Sequence, residues 1–468
     1  MDNTEFRKQA HLFVDWIADY LADPSKYPVK SQVKPKEIYS NLPESPPKDG
    51  ELMDVIFDDF NTLIMPGITH WQNPNFHAYF PANSSYPSVL AEMLTAALGA
   101  QCMKWDTSPA ASELEERMVN WMKRITGIPE NFQGVIQDGA SSATLVAILT
   151  AREKYSSFSI NEKGFSSQCF RVYCSEEAHS SIEKAVKISG IGKNNLVKIP
   201  VDKEFRLLPE KLLEAIHKDI NNGRQPLCVI AALGTTSSTA VDPLKPISEI
   251  CQKHQIWLHV DAAYAGSALI LPEFKWMIEG IENIDSIVFN PHKWLFTNFD
   301  CSLYYVKDLP SLLNAFSILP EYLRTSNQGK VNDYCDWGIP LGRRFRSLKL
   351  WFVIRSFGIS GLQEKIRYHI KLANELKTWI INDGRFEIMA PINFNLVCFR
   401  YNPGKFSDDH LNKINETILS RINYTGKIYL SHTKLDGHYT LRLVIGQTYV
   451  DRNHLAKAWS TILECLPE

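Results

Sequence analysis

The sequence predicts an α/β protein built on a largely parallel sheet, with an N-terminal helical segment before it and a small C-terminal α+β domain after it. Three observations carry that prediction. Between about 86 and 345, short β-branched or apolar runs alternate with helical periods. Those runs are apolar on both faces, as strands covered by helices on both sides must be. Outside that region, the chain opens and resumes with helical periodicity instead.

In order, residues 1–85 read as helices joined by a proline-rich linker. Phe6, Phe13, Val14, Ile17 and Leu21 form one apolar stripe, Pro24 ends that helix, and Pro43, Pro46 and Pro47 space it from a second helix near 50–64. The stripe needs a cover, and a second subunit would supply one. Residues 86–345 form the large domain, with strands expected at GVIQD, FRVYCS, LCVIAAL, IWLHVDA, SIVFN and CSLYYVK. Helices at 141–154, 180–189, 209–218 and 245–254 fall between them. Only a short turn separates SIVFN from CSLYYVK, so this last pair is expected to be antiparallel. Residues 346–468 open with a long helical stretch, SLKLWFVIRSFGISGLQEKIRYHIKLANELKTWIIND. The strand candidates NLVCFRY, KIYLSHT and YTLRLVIG and a terminal helix follow.

With 468 residues, 44% of them hydrophobic, the chain can bury a large core divided among two or three domains. Fifty Lys and Arg stand against 52 Asp and Glu, with no basic stripe, so neither nucleic acid nor an anionic membrane is an expected partner. The opening helix carries Asp15 and Asp19, which is wrong for the apolar core of a signal peptide, and no run reaches the length of a membrane span. Nine cysteines, odd in number and without a CxxC, read as reduced thiols of a cytoplasmic protein. No metal is expected, because His254 and His259 are five apart where a helical zinc pair wants four.

Four motifs end predicted strands, where ligands of such sheets sit. Gln137-Asp138-Gly139-Ala140-Ser141-Ser142 leads into a helix whose N–H groups and dipole suit a phosphate, although Ser is also an ordinary cap. Asp261, in LHVDAAYAG, is a costly strand-end acid unless a cation meets it; it is either a helix cap or the partner of a protonated pyridine nitrogen. Lys293, in FNPHKW, is either a surface stem or a buried amine that has lost its proton and become a nucleophile. His179, in EEAHSS, could stack on a ring bracketed by the other two.

In this order, FHAYFP, SPAASELE, EAHSSIEKA, LGTTSSTAVD, WLHVDAAYAGSA, FNPHKWL and IPLGRRFRSLKLWFV resemble the aromatic-L-amino-acid decarboxylases, group II decarboxylases that use pyridoxal 5'-phosphate (PLP). The resemblance covers nearly the whole chain. It implies a fold type I, aspartate aminotransferase-like fold of the PLP-dependent transferases. It also implies that Lys293 binds PLP covalently, Asp261 pairs with the pyridine nitrogen, His179 stacks on the ring and Ala263 lies beneath it. Ala140, Ser141, Asn290 and His292 would reach the phosphate, and Thr236 the cofactor and substrate carboxylate. Tyr322, in a loop with neither helical nor strand periodicity, matches the tyrosine that protonates the product carbon.

Relatives that release an aldehyde carry phenylalanine at the Tyr322 position or asparagine at the His179 position, so the resemblance implies the amine-forming reaction. Trp71, Tyr79, Phe80 and Pro81 match the aromatic wall of the substrate pocket. Gly342 stands where the similar histidine decarboxylases have serine, which favours a ring larger than imidazole. Ala82, Gln101 and Met103 depart from the animal enzymes' threonine, isoleucine and phenylalanine, and Asp138 from a glycine. DOPA, 5-hydroxytryptophan, tyrosine, tryptophan and phenylalanine all remain open as substrates. The family also implies a homodimer with shared active sites, residues 101–103 entering the partner's pocket. The run Arg343-Arg344-Phe345-Arg346 reads either as a cationic pocket mouth or as ion pairs.

Overall fold

A computed structural model describes residues 1–318 and 330–467. The chain forms two compact units. One comprises Met1–Pro81, Lys371–Met389 and Val397–Glu468; the other comprises Ala82–Ile370 and Ala390–Leu396. The segments expected as 1–85, 86–345 and 346–468 are therefore regrouped, the N-terminal segment sharing a unit with most of the C-terminal one.

In the larger unit, seven strands form one sheet: β1 Gln133–Gln137, β2 Phe170–Ser175, β3 Leu196–Ile199, β4 Gln225–Ala232, β5 Trp257–Asp261, β6 Ser286–Phe289 and β7 Ser302–Val306. Their order is β1-β7-β6-β5-β4-β2-β3. All neighbours pair in parallel except β7, which runs against both β6 and β1. The predicted antiparallel pair is thus present. The β3 run LVKI was not anticipated; it is a short edge strand, half-exposed along most of its length.

The sheet is stabilised by apolar burial on its faces. Helix Ala140–Tyr155 buries Ala143, Val146, Ala147, Ile148 and Ala151 in one cluster with Val172, Cys174, Ile230, Val288 and Tyr304. Each valine or isoleucine of this kind contributes roughly 1.5–3 kcal/mol on burial, and each alanine less. Because β1, β2, β4, β5 and β6 are mutually parallel, the residues that follow them all emerge at one edge of the sheet.

In the smaller unit, β8 Phe386–Ile388, β9 Leu396–Tyr401, β10 Ser431–Leu435 and β11 His438–Val444 form a sheet in the order β10-β11-β9-β8. The strand expected at KIYLSHT lies further on, because Asp436 and Gly437 take the positive φ angles of a two-residue hairpin, 48° and 80°, and so fix the register of β10 on β11. Helices Pro109–Thr126 and Asp408–Tyr424 were also not anticipated. The N-terminal segment docks on this unit through Val29 N–H to Gly426 O (2.8 Å) and His77 N–H to Tyr429 O (2.9 Å). Among the described residues, no helix is long and apolar enough to cross a membrane.

Candidate active site

The motif around Lys293 is built on a single turn. Asn290 ends β6, Pro291 opens the four-residue helix Pro291–Trp294, and Lys293 N–H donates to Asn290 O at 2.9 Å. Trp294 is completely buried; its indole N–H donates to His369 Nδ1 (3.0 Å) and its ring stacks on Tyr264 at 5.1 Å. A buried tryptophan that close fixes where Lys293 leaves the backbone. Asn83 adds a second restraint, its N–H donating to His292 O (2.7 Å) and its side-chain amide to Lys293 O. Lys293 is partly buried, and desolvation lowers its pKa although Asp261 acts in the opposite direction. The surroundings of Lys293 are thus those of a desolvated amine and not of a surface stem.

Asp261 ends β5, where its Oδ1 accepts the Ala263 N–H at 3.0 Å. Asn290 N–H donates to Ala263 O at 3.0 Å, tying the aspartate's turn to the lysine's. His179 lies between β2 and helix Ser181–Ile188. The Ser181 N–H (3.1 Å) and hydroxyl (2.7 Å) both meet its Nδ1, which makes Nδ1 the acceptor and leaves the proton of the neutral ring on Nε2. Partial burial chiefly, and then the Lys293 charge, lower the pKa of this imidazole, while Asp261 raises it. Lys293, Asp261 and His179 therefore lie within each other's electrostatic reach.

Neutral donors complete the set. His292 is buried, its pKa pushed down to about 3 by desolvation first and the Lys293 charge second. Its Nδ1 accepts the Cys301 N–H (2.9 Å), leaving the proton on Nε2. Asn290, also buried, accepts the Ser302 hydroxyl on Oδ1 at 2.5 Å, so its NH2 group is turned to donate elsewhere. Ala140 and Ser141 are the first residues of helix Ala140–Tyr155, with Gly139 as cap, and their N–H groups have no intrahelical acceptor. Thr236 sits in the loop after β4. Asp242 ties that loop's base by accepting the N–H groups of Ala232 (2.7 Å) and Leu207 (2.9 Å).

This donor set fits a phosphorylated pyridine aldehyde. A desolvated amine suits the carbonyl, a strand-end carboxylate suits a protonated ring nitrogen, and a helix N-terminus with two neutral donors suits a phosphate.

The remaining sequence candidates fall into two groups. Gln101, Met103 and Gly342 belong to the same unit as Lys293: Gln101 Oε1 accepts the Arg343 N–H (2.7 Å), Met103 O accepts the Cys335 N–H (2.9 Å), and a Cβ on Gly342 would stand 3.3 Å from Gln101 Nε2. Ala82 precedes Asn83 there. Trp71, Tyr79, Phe80 and Pro81 belong to the other unit, where Trp71 stacks on Tyr79 at 5.8 Å and the Arg442 guanidinium lies 5.4 Å from the Phe80 ring. Tyr322 lies outside the described residues. Sequence reasoning passed over Asn83, Asp242, Ser302 and His369. The PANSSYP stretch was a signal for Asn83; His369 had none, being one polar residue in a long helix.

A family model described as the pyridoxal-dependent decarboxylase conserved domain matches residues 35–402. The chain is 45% identical to phenylacetaldehyde synthase of Arabidopsis thaliana, over 99% of this chain and 96% of that protein. It is 43% identical to tyrosine decarboxylase 4 of Petroselinum crispum, over 99% and 93%. Among solved structures, tryptophan decarboxylase of Catharanthus roseus in complex with L-tryptophan superposes with a TM-score of 0.93 at 40% identity, covering 99% of this chain and 98% of that one.

Proposed function

The chain belongs to the pyridoxal-dependent decarboxylase family, in its aromatic-L-amino-acid branch, and from that premise we propose that it converts an aromatic L-amino acid into the corresponding arylalkylamine and CO2. The observation that carries this reading is the desolvated amine of Lys293 within electrostatic reach of Asp261 and His179 at the carboxyl edge of the sheet.

When bound, PLP supplies a carbonyl that captures the substrate amine and a ring that accepts the electron pair released as CO2 leaves. Lys293 holds the cofactor covalently. Asp261 would keep a proton on the ring nitrogen, and His179 and Ala263 would hold the ring from its two faces. Asn290, His292 and the N–H groups of Ala140 and Ser141 bind the phosphate, and Thr236 orients the substrate carboxylate. Tyr322 would supply the proton to the substrate carbon. By the resemblance, Trp71, Tyr79, Phe80, Pro81, Ala82 and Gly342 would be substrate-contacting positions, and Gln101 and Met103 would serve the substrate of the partner subunit.

The protein acts as a homodimer. Phe6, Leu12 and Val14 on helix Asn3–Ala22 and Leu90, Leu94 and Leu98 on helix Tyr86–Leu98 are exposed in the single chain, and a second copy would cover them. An active monomer in sedimentation would refute this. All nine thiols stand free, in keeping with a reducing, cytoplasmic setting that cell fractionation can check.

The relatives include both amine- and aldehyde-forming enzymes, and the residue identities at 179 and 322 favour the amine. Product analysis of the PLP-loaded protein over DOPA, 5-hydroxytryptophan, tryptophan, tyrosine and phenylalanine tests it. Amine and CO2 in equal amounts are expected. Aldehyde, peroxide and ammonia in place of amine would overturn the reading.

A further inference from the structure

The basic run at 343–346 divides into separate ion pairs. Arg344 reaches Glu92 (2.7 Å), and Arg346 grips Asp300 with two nitrogens (2.9 and 3.2 Å). Arg343 turns inward and is only 8% exposed. One terminal nitrogen donates to Glu115 Oε1 (2.6 Å) and to Ile136 O (2.7 Å); the other donates to Cys102 O (3.2 Å). The guanidinium lies 5.0 Å from the Tyr334 ring centre. Its own backbone adds two bonds, N–H to Gln101 Oε1 (2.7 Å) and O from Cys102 N–H (3.0 Å). Glu115 Oε1 also accepts the Ile136 N–H (2.8 Å).

The segments gathered here are functionally distinct. Ile136 is the penultimate residue of β1, which delivers Asp138 to Ser141 to the phosphate site. Cys102 stands between Gln101 and Met103. Desolvation cancels much of what a buried ion pair gives to stability, so the pair's main contribution here is geometric. A planar guanidinium can meet three acceptors in fixed directions, which an ammonium cannot.

We propose that Arg343 is a positioning residue that locks the phosphate loop after β1 to the 101–103 segment, so that order imposed on one is transmitted to the other. The proposal rests on the assignment of those two segments to cofactor and substrate under the proposed function. Coupling of this kind is reciprocal: cofactor binding orders the substrate side, and a disordered substrate side weakens the cofactor.

The test is hydrogen exchange of segments 99–107 and 134–142 in the full-length wild type, Arg343→Lys and Glu115→Gln, with and without saturating PLP. Arg343→Lys keeps the charge beside Glu115 but loses the fork. Glu115→Gln keeps an acceptor for Ile136 N–H and removes the charge, so a folding failure in one variant leaves the other. In the wild type PLP is expected to slow exchange in both segments. In the variants it slows only 134–142, with KM for the aromatic substrate and Kd for PLP each rising about tenfold. Protection of both segments retained in the variants would overturn the proposal, as would wild-type protection confined to 134–142. If the wild type takes up no PLP, the proposed function fails on its own. The PLP-free proteins then decide: faster exchange in both segments of either variant supports the lock, and faster exchange in one or none refutes it.

Discussion

A lysine amine in water is charged; desolvation lowers the pKa of Lys293, which shifts the balance toward the neutral, nucleophilic form. Replacing it with alanine is expected to cut decarboxylation by more than about a thousandfold, with loss of the covalent cofactor band and of the peptide labelled by borohydride reduction. Gly342 gives a subtler test. Serine there brings its Cβ to 3.3 Å from Gln101 Nε2, a contact that moves the amide held by Arg343. Gly342→Ser is expected to raise KM for the largest accepted ring by roughly three- to tenfold with little change in melting temperature. At this scale the placement of Lys293 and Asp261 at strand ends was legible in the sequence, because a lone lysine among aromatics and a lone acid after an apolar run both stand out against burial. His369 was not, since it gains its meaning from a partner 75 positions away, and the role of Asn83 in PANSSYP depends on a partner 210 positions away.

Among elements, the long helix Arg346–Asp383 is interrupted at Gly358, whose φ of 65° and ψ of 167° are open to glycine and costly for other residues. A Cβ there would meet nothing within 4 Å, so any cost of substitution is conformational. Gly358→Ala is expected to lower stability by about 1–3 kcal/mol, measured by chemical unfolding. The sequence showed one continuous helical period through this point because periodicity reports which side chains face the core and is indifferent to a single backbone reversal. Strand β3 was missed for a related reason: LVKI places exposed Lys198 among half-exposed neighbours, without the two-sided apolar signal that revealed the central strands. Those central strands, FRVYCS above all, were placed correctly because both of their faces are buried.

For the whole molecule, the buried histidines set the response to acid. Burial lowers His77 and His259 to about 4 and His292 to about 3, against an ordinary 6.5. Each takes up a proton on unfolding once the pH falls below 6.5, which favours the unfolded chain. Asp242 opposes them: burial raises it from 3.8 to about 6, so between those values the folded form holds a proton that the unfolded form lacks. Near pH 5 these four groups take up three protons and release one on unfolding, a net of two, so together they are expected to lower stability by about 2–3 kcal/mol for each pH unit of acidification. Unfolding midpoints followed from pH 7 to 5 would check this; a flat profile would show that the histidines are hydrated.

The reversal of β7 also orders events in time. Phe289 pairs with Leu303 and Ser286 with Val306, so the strands flanking Lys293 close on each other over one short excursion of chain. Gln137, which leads to the phosphate loop, must find Ser302 from far earlier in the sequence. Short closures lose little entropy and form fast, whereas distant ones wait. A refolding chain should therefore set its reactive amine in place before the phosphate cradle exists and capture its cofactor late; pulse-labelled exchange that protects 286–306 ahead of 133–137 is the expected record of that order.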